Sequence, residues 1–410
     1  MSSERGFTLS RRGVLATAPL AALGLASCDR QASADKMLNP LIEGPELARA
    51  PAAGLVVMRN NLVIAQAAVG EAVVGERAFT PRTALRAASV SKLAVALTAE
   101  KLHRDGKLDL DTGIRKWLPF FPVSTPAGES GPTLRALLSH TSGMKDPDVY
   151  WLAHPGHIES LLTYDAFKDS TDFEYCNLGY GVAATVLEAA TQRRFDRLVR
   201  DLVIRPLGLD AGFNWSDVSE SKKQNGATLY REFGNGWAAQ TDDRTLLRSE
   251  DPLVLHEEDA DLRTYVPGTN GTLFSPQGGL RANLIDLATL AARLKYASDL
   301  TRPVWRLNAA ETNGVHDQRY FTQFGTGVQV QPADESQWPG QTLWGHPGEA
   351  YGLYSGAWYA PGLNISFAYA VTGSPEAPPP RSPRHPALNS FTEILMDAVI
   401  AAYENSPANT

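Results

Sequence analysis

Two cysteines, Cys28 and Cys176, are all that 410 residues contain, too few for the disulfide frameworks that hold small secreted folds together. Stability has to come from a hydrophobic core. No apolar run is long enough to span a bilayer as a helix, which excludes a transmembrane bundle. No cluster of lysine and arginine is present that could neutralise a row of phosphates, and the chain is acidic overall, with 38 basic against 45 acidic residues and a formal charge of −7. Nucleic acid is therefore not an expected partner. The eight histidines are scattered, and His154 with His157 lacks an acidic or cysteine companion at metal-ligand spacing, so neither metal nor cofactor is expected. The Gly-x-Ser-x-Gly elbow is absent, which removes the α/β-hydrolase form of serine catalysis.

What is present is the composition of a globular protein, 43% hydrophobic and 20% charged, long enough for two lobes sharing one site. Arg5, Arg11 and Arg12 precede a short apolar run from Gly13 to Ser27, the build of an export signal. Ser10-Arg11-Arg12-Gly13-Val14-Leu15 resembles a twin-arginine signal, and Leu25-Ala26-Ser27-Cys28 resembles a lipoprotein cleavage box in which Cys28 is lipidated. Residues 1–28 are thus expected to be an export signal, either with Cys28 lipidated as the first mature residue or an ordinary signal with an incidental cysteine, giving a periplasmic protein that meets a membrane only through a lipid on Cys28. Residues 29–49 are polar and aperiodic and read as a tether.

Leu55–Met58 and Leu62–Ala65 are β-prone runs around Asn60-Asn61, which predicts a hairpin. From Ser89 the period becomes helical, with Leu93, Ala96 and Leu97 on one face and Gly106 where a C-terminal cap belongs. Helical stretches broken by Pro and Gly loops follow, then β-prone runs return around Pro361-Gly362 and a last helix runs from about Ser390 to Tyr403. The pattern predicts an α/β fold, a central antiparallel sheet flanked by helices. Residues 50–106 and 271–403 form this lobe, 107–270 an inserted mainly helical lobe, and 404–410 a tail.

Ser89-Val90-Ser91-Lys92 sets a hydroxyl and an amine three residues apart at a helix start, on one side of the helix, where the helix N-terminus favours a neutral amine and a developing alkoxide. The bare Ser-x-x-Lys pattern also begins at Ser33, Ser142 and Ser219. Only Ser89 opens an apolar helix. Tyr175-Cys176-Asn177 offers a phenol for proton transfer and an amide for hydrogen bonding, and His346-Pro347-Gly348 precedes a β-prone stretch. Tyr403-Glu404-Asn405 and His154-Pro155-Gly156 match the same short patterns in the tail and in a loop.

The order and spacing of these three motifs resemble the class C β-lactamase superfamily of β-lactamases, D,D-peptidases, D-aminopeptidases and esterases. So do Leu137–Met144, Gly278-Gly279-Leu280 with Asp286-Leu287, and Leu108–Asp111. The resemblance implies a β-lactamase/transpeptidase-like fold and a serine hydrolase that forms an acyl-enzyme on Ser89. It implies that Lys92 and Tyr175 share the proton, Asn177 orients the substrate and His346 assists at the leaving-group side. The N–H groups of Ser89 and of Glu349, just after Gly348, would form the oxyanion hole. A tyrosine serving as base at neutral pH needs a nearby cation, and Lys92 is expected to lower its pKa. The third motif often reads Lys-Thr-Gly in β-lactamases and His-x-Gly in peptidases and esterases. Small esters, amides or D-amino-acid peptides are therefore the expected substrates, with β-lactam hydrolysis and a catalytically silent penicillin-binding or sensor protein as alternatives. Glu349 stands where carboxylate-binding relatives have Ser or Thr, and whether it faces the cleft depends on strand register.

Overall fold

The computed structural model describes residues 35–43, 50–234, 236–241, 262–375 and 379–406; the export signal and Cys28 lie outside them. The hairpin forms as its sequence requires. Asn60 and Asn61 both take positive φ, 51° and 64°, the conformation of a tight turn whose twist matches its strands, and they join β1 (Ala52–Arg59) to β2 (Leu62–Val73). Short strands follow: β3 (Arg77–Ala78), β4 (Leu85–Arg86), β5 (Gly212–Phe213), β6 (Leu229–Phe233), β7 (Gly236–Gln240), β8 (Leu280–Ala282), β9 (Trp305–Arg306), β10 (Gln323–Phe324) and β11 (Gln329–Gln331). The chain then folds into the long strands β12 (Leu343–Ala350), β13 (Leu353–Ala360) and β14 (Ile365–Thr372).

Among the described residues nine of these strands make one sheet in the order β3-β2-β1-β14-β13-β12-β11-β10-β9, with β4-β8-β5 and β6-β7 as smaller sheets. Antiparallel pairing of β1 with β14 closes the N-terminal hairpin onto the C-terminal strands. β13 and β14 are buried at every position, as central strands covered on both faces must be. Helix α1 (Ser91–Arg104), α2 (Leu178–Thr191) and α3 (Leu284–Ala292) belong to the core on one side of the sheet. Helix α4 (Ser390–Glu404) packs on the other through Phe391, Leu395, Met396 and Val399.

The sequence reading needs two corrections. Residues 35–43 are not a free tether. Leu38 and Leu41 are fully buried in the core beneath α4, each burial contributing about 2 kcal/mol, and Asp35 accepts a hydrogen bond from the Ala68 N–H of β2 at 2.9 Å. Nor does 107–270 form one helical unit. The β6–β7 hairpin lies against the main sheet, where the Tyr230 N–H donates to Thr372 Oγ1 at 2.7 Å and the Gly373 N–H donates to the Tyr230 carbonyl at 2.9 Å. Elsewhere the described residues of that segment include α2, the Leu134–Leu138, Phe195–Val199 and Glu220–Gln224 helices, β5 and long loops.

Candidate active site

Between Thr83 and Glu100 every residue is buried except Ser89, which keeps partial exposure. The chain reaches that point through Ala88, whose φ of +49° lies in the left-handed region that costs an alanine about 1 kcal/mol. The turn is held from β13, where Ser355 Oγ donates to the Ala87 carbonyl at 3.1 Å. Gly348 explains the glycine of the third motif: a Cβ there would stand 2.3 Å from Ser355 Oγ and 2.8 Å from the Ala87 carbonyl oxygen. Only a residue without a side chain lets β12 lie against the Ser89 turn.

Lys92 sits one turn along, fully buried. Its Nζ donates to Ser89 Oγ at 3.0 Å, to Asn177 Oδ1 at 2.8 Å and to the Gln277 carbonyl at 3.0 Å. Burial lowers its pKa to about 7, against the opposing pull of Asp146, so a large neutral-amine fraction is present at neutral pH. Tyr175 is hydrogen-bonded to Ser89, but burial raises its pKa, with Asp146, Tyr150 and Glu349 adding to the rise. This reverses the expected division of labour. The phenol stays protonated, and Lys92 is the better proton acceptor. Phe321 stacks on Tyr175 at 5.2 Å and His140 lies 4.3 Å from it on ring centroids, so the phenol is walled by rings.

His346 faces inward from β12 and is fully buried. Burial and the Lys92 charge hold its pKa at about 3, so at neutral pH it is an uncharged imidazole whose Nδ1–H donates to the Pro347 carbonyl. It does not supply the cation that a lysine would at this position. Glu349, two strand positions beyond Pro347, is exposed, and it lies within electrostatic reach of Tyr175, Arg381, Asp317 and Arg231. β11 covers β12 only over Leu343–Gly345. Pro347 is tolerated where its nitrogen meets that open edge, and alternation turns the Glu349 N–H to the same side.

Ser89, Lys92, Tyr175 and Asn177 are thus brought into direct contact, and His346, Gly348 and Glu349 line the adjoining strand. Of the competing patterns, the one at Ser33 begins outside the described residues, and two others go elsewhere. Ser219 caps the short Glu220–Gln224 helix, whose Lys222 pairs with Asp286, and Ser142 accepts a bond from the Met144 N–H. Cys176 Sγ–H donates to Asp146 at 3.4 Å, and burial raises its pKa well above that of an ordinary thiol, which makes it an inert packing residue. Three contributors were not singled out in the sequence: Asp146, the Gln277 carbonyl and Ser355. Gln277 immediately precedes the Gly278-Gly279-Leu280 segment, and that adjacency was the only signal for any of them.

The Beta-lactamase family model matches residues 41–388. The chain belongs to the beta-lactamase family. Among curated relatives it is 30% identical over 141 residues to penicillin-binding protein 4 of Amycolatopsis lactamdurans, covering 32% of this chain and 36% of the relative. It is 32% identical over 155 residues to esterase EstB of Burkholderia gladioli, covering 32% of this chain and 38% of the relative. The matches thus span little more than a third of these relatives' own length. The D-amino acid amidase of Ochrobactrum anthropi SV3 superposes with a TM-score of 0.67 over 92% of this chain and 99% of that one, at 17% identity. That likeness shows the β-lactamase/transpeptidase-like fold.

Proposed function

We propose that this member of the beta-lactamase family is a serine hydrolase that cleaves small esters or amides through an acyl-enzyme on Ser89. The observation that carries the reading is the contact of a partly exposed Ser89 Oγ with a buried amine whose pKa is about 7, an arrangement that activates a hydroxyl. Ser89 Oγ attacks the substrate carbonyl while its proton passes to the neutral Lys92 amine. The tetrahedral oxyanion rests between the N–H groups of Ser89 and Glu349. Collapse expels the leaving group, which takes the proton from Lys92 by way of the Tyr175 hydroxyl. Water then repeats the sequence on the acyl-serine and restores Ser89. The test is a fluorophosphonate label located by peptide mapping, beside a panel of short-chain nitrophenyl esters, D-amino-acid amides, D-Ala-D-Ala peptides and nitrocefin. A folded protein that takes no label at Ser89 sinks the enzyme reading. Efficient nitrocefin turnover with idle esters moves the assignment to β-lactams.

Substrate charge follows from the strand. A neutral His346 and an exposed Glu349 leave nothing on this part of β12 to attract a carboxylate, and an ionised Glu349 repels one. Glu349→Thr is expected to raise kcat/KM for a carboxylate-bearing substrate by roughly tenfold, about 1.4 kcal/mol, and to leave a neutral nitrophenyl ester little changed. Equal changes on both substrates, or none on either, remove Glu349 from the specificity argument.

Location is proposed from the sequence alone: export, with Cys28 lipidated at the membrane surface. Cys28→Ala is expected to move the protein from the membrane to the soluble fraction, since the lipid is the only anchor the reading allows. A wild-type protein already soluble overturns it.

A further inference from the structure

Asp146 belongs to none of the motifs, yet it organises two of them. Its Oδ2 accepts from Asn177 Nδ2 at 2.9 Å, and its Oδ1 accepts from the Leu178 N–H at 2.7 Å and from Cys176 Sγ–H. The Leu178 N–H is the first of helix α2, a donor with no partner inside its own helix. The same Asn177 presents its Oδ1 to Lys92 Nζ at 2.8 Å.

An asparagine amide fits its space almost equally well in two orientations, and its hydrogen bonds decide between them. With Asp146 behind it, the NH2 end must face the carboxylate and the oxygen must face Lys92. Without that acceptor the amide is free to turn its NH2 toward the lysine, which then loses an acceptor and faces a donor. We infer that Asp146 is a positioning residue for acylation: it locks the Asn177 amide with its oxygen on Lys92 and sets a fixed negative charge behind it. The inference rests on Lys92 being the proton acceptor.

The groups facing Lys92 come from several elements. Asp146 lies on the loop after the Leu134–Leu138 helix. Tyr175 and Cys176 precede α2, and Tyr180 lies within it. His140 and His346 approach from that same loop and from β12. Both histidines have their pKa values lowered and the phenols and thiol have theirs raised, so at neutral pH these groups are uncharged. Among the described residues, Asp146 is the acidic side chain that acts on Lys92. Its carboxylate favours the ammonium form of Lys92, opposing the burial that disfavours it.

The direction of the test follows. Asp146→Asn keeps an oxygen acceptor and removes the charge, so the Lys92 pKa falls and more amine is free at low pH. The acid limb of the kcat/KM profile on a nitrophenyl ester is expected to move down by about half a pH unit or more. Asp146→Ala removes the acceptor as well and is expected to slow acylation by roughly tenfold or more. Asp146→Glu keeps the charge, so its acid limb stays where the wild type has it even though the rate falls. The pH dependence of fluorophosphonate labelling at Ser89 reads the same ionisation without turnover. An unmoved or raised limb in Asp146→Asn overturns the inference. If that variant does not fold, a limb in Asp146→Glu that moves down as a neutral residue's would overturns it equally. A wild-type enzyme without activity or label at Ser89 instead defeats the proposed function, which keeps the two failures apart.

Discussion

Ser89→Ala is expected to lower kcat on any ester or amide the protein turns over by at least roughly 10⁴-fold, because removing the nucleophile leaves only binding and the oxyanion donors. The change should scarcely touch the fold. Ser89 is partly exposed and its Oγ is hydrogen-bonded to both Lys92 and Tyr175, so its loss costs about 1–2 kcal/mol, the scale of one or two hydrogen bonds. The decisive comparison is fluorophosphonate labelling together with a melting curve. A variant that melts like the wild type yet takes no label and turns over no substrate places the nucleophile at Ser89. Residual activity above a few per cent would move the chemistry to another residue, and the other Ser-x-x-Lys serines would be the first to mutate.

The second large effect concerns the amine and the phenol. Lys92→Met keeps the length of the stem and removes the proton acceptor, and it is expected to cost roughly 10² or more in acylation, as is Tyr175→Phe. Both groups touch Ser89 Oγ, so they handle one proton rather than two. The double variant is therefore expected to lose much less than the product of the single losses, a coupling that a double-mutant cycle measures directly. Full multiplicativity would separate the two residues. The pH profile carries the sign. With Lys92 acting as a neutral amine of pKa about 7, kcat/KM rises with pH through neutrality and levels off above it. Tyr175→Phe should leave that limb in place, because the phenol stays protonated on both sides of it. A limb that vanishes in Tyr175→Phe would return the base to the tyrosine.

The expectation that Lys92 would pull the tyrosine's pKa down came from counting charges in sequence. It failed because burial acts on both groups at once. Taking Lys92 out of water disfavours its cation, which is only about half populated at neutral pH, and taking Tyr175 out of water disfavours its anion. Depth of burial is a tertiary quantity, and no spacing of residues reveals it.

Other parts of the molecule divide along the same line. Local chemistry was legible: Asn60-Asn61 requires positive φ and makes its hairpin, Gly106 ends α1 with φ of +65°, and the apolar periods mark α1, α2 and α4. Choosing among the four Ser-x-x-Lys sites was also legible, since a serine that opens an apolar helix is bound for the core. The tether reading failed at Leu38 and Leu41, because two leucines in a polar stretch show no period until α4 and the sheet offer a surface to bury them. The β6–β7 hairpin looked like part of the helical lobe for a related reason: its partners, Thr372 and Gly373, lie over a hundred residues away.

Glu349 and Asp146 show what only the tertiary structure decided. A strand's alternation fixes two faces, but that the face of Gly348 packs on the Ser89 turn, and that β11 leaves β12 unpaired beyond Gly345, depended on contacts made across the chain. Asp146 stands 31 residues before Asn177 in a loop with no pattern of its own. The sequence by itself determined the fold class, the candidate nucleophile and the order of the motifs, because these rest on short-range periodicity and on residue chemistry. The tertiary structure decided which amine is neutral, which way the Asn177 amide points and what charge stands behind it, because burial and long-range contacts set those.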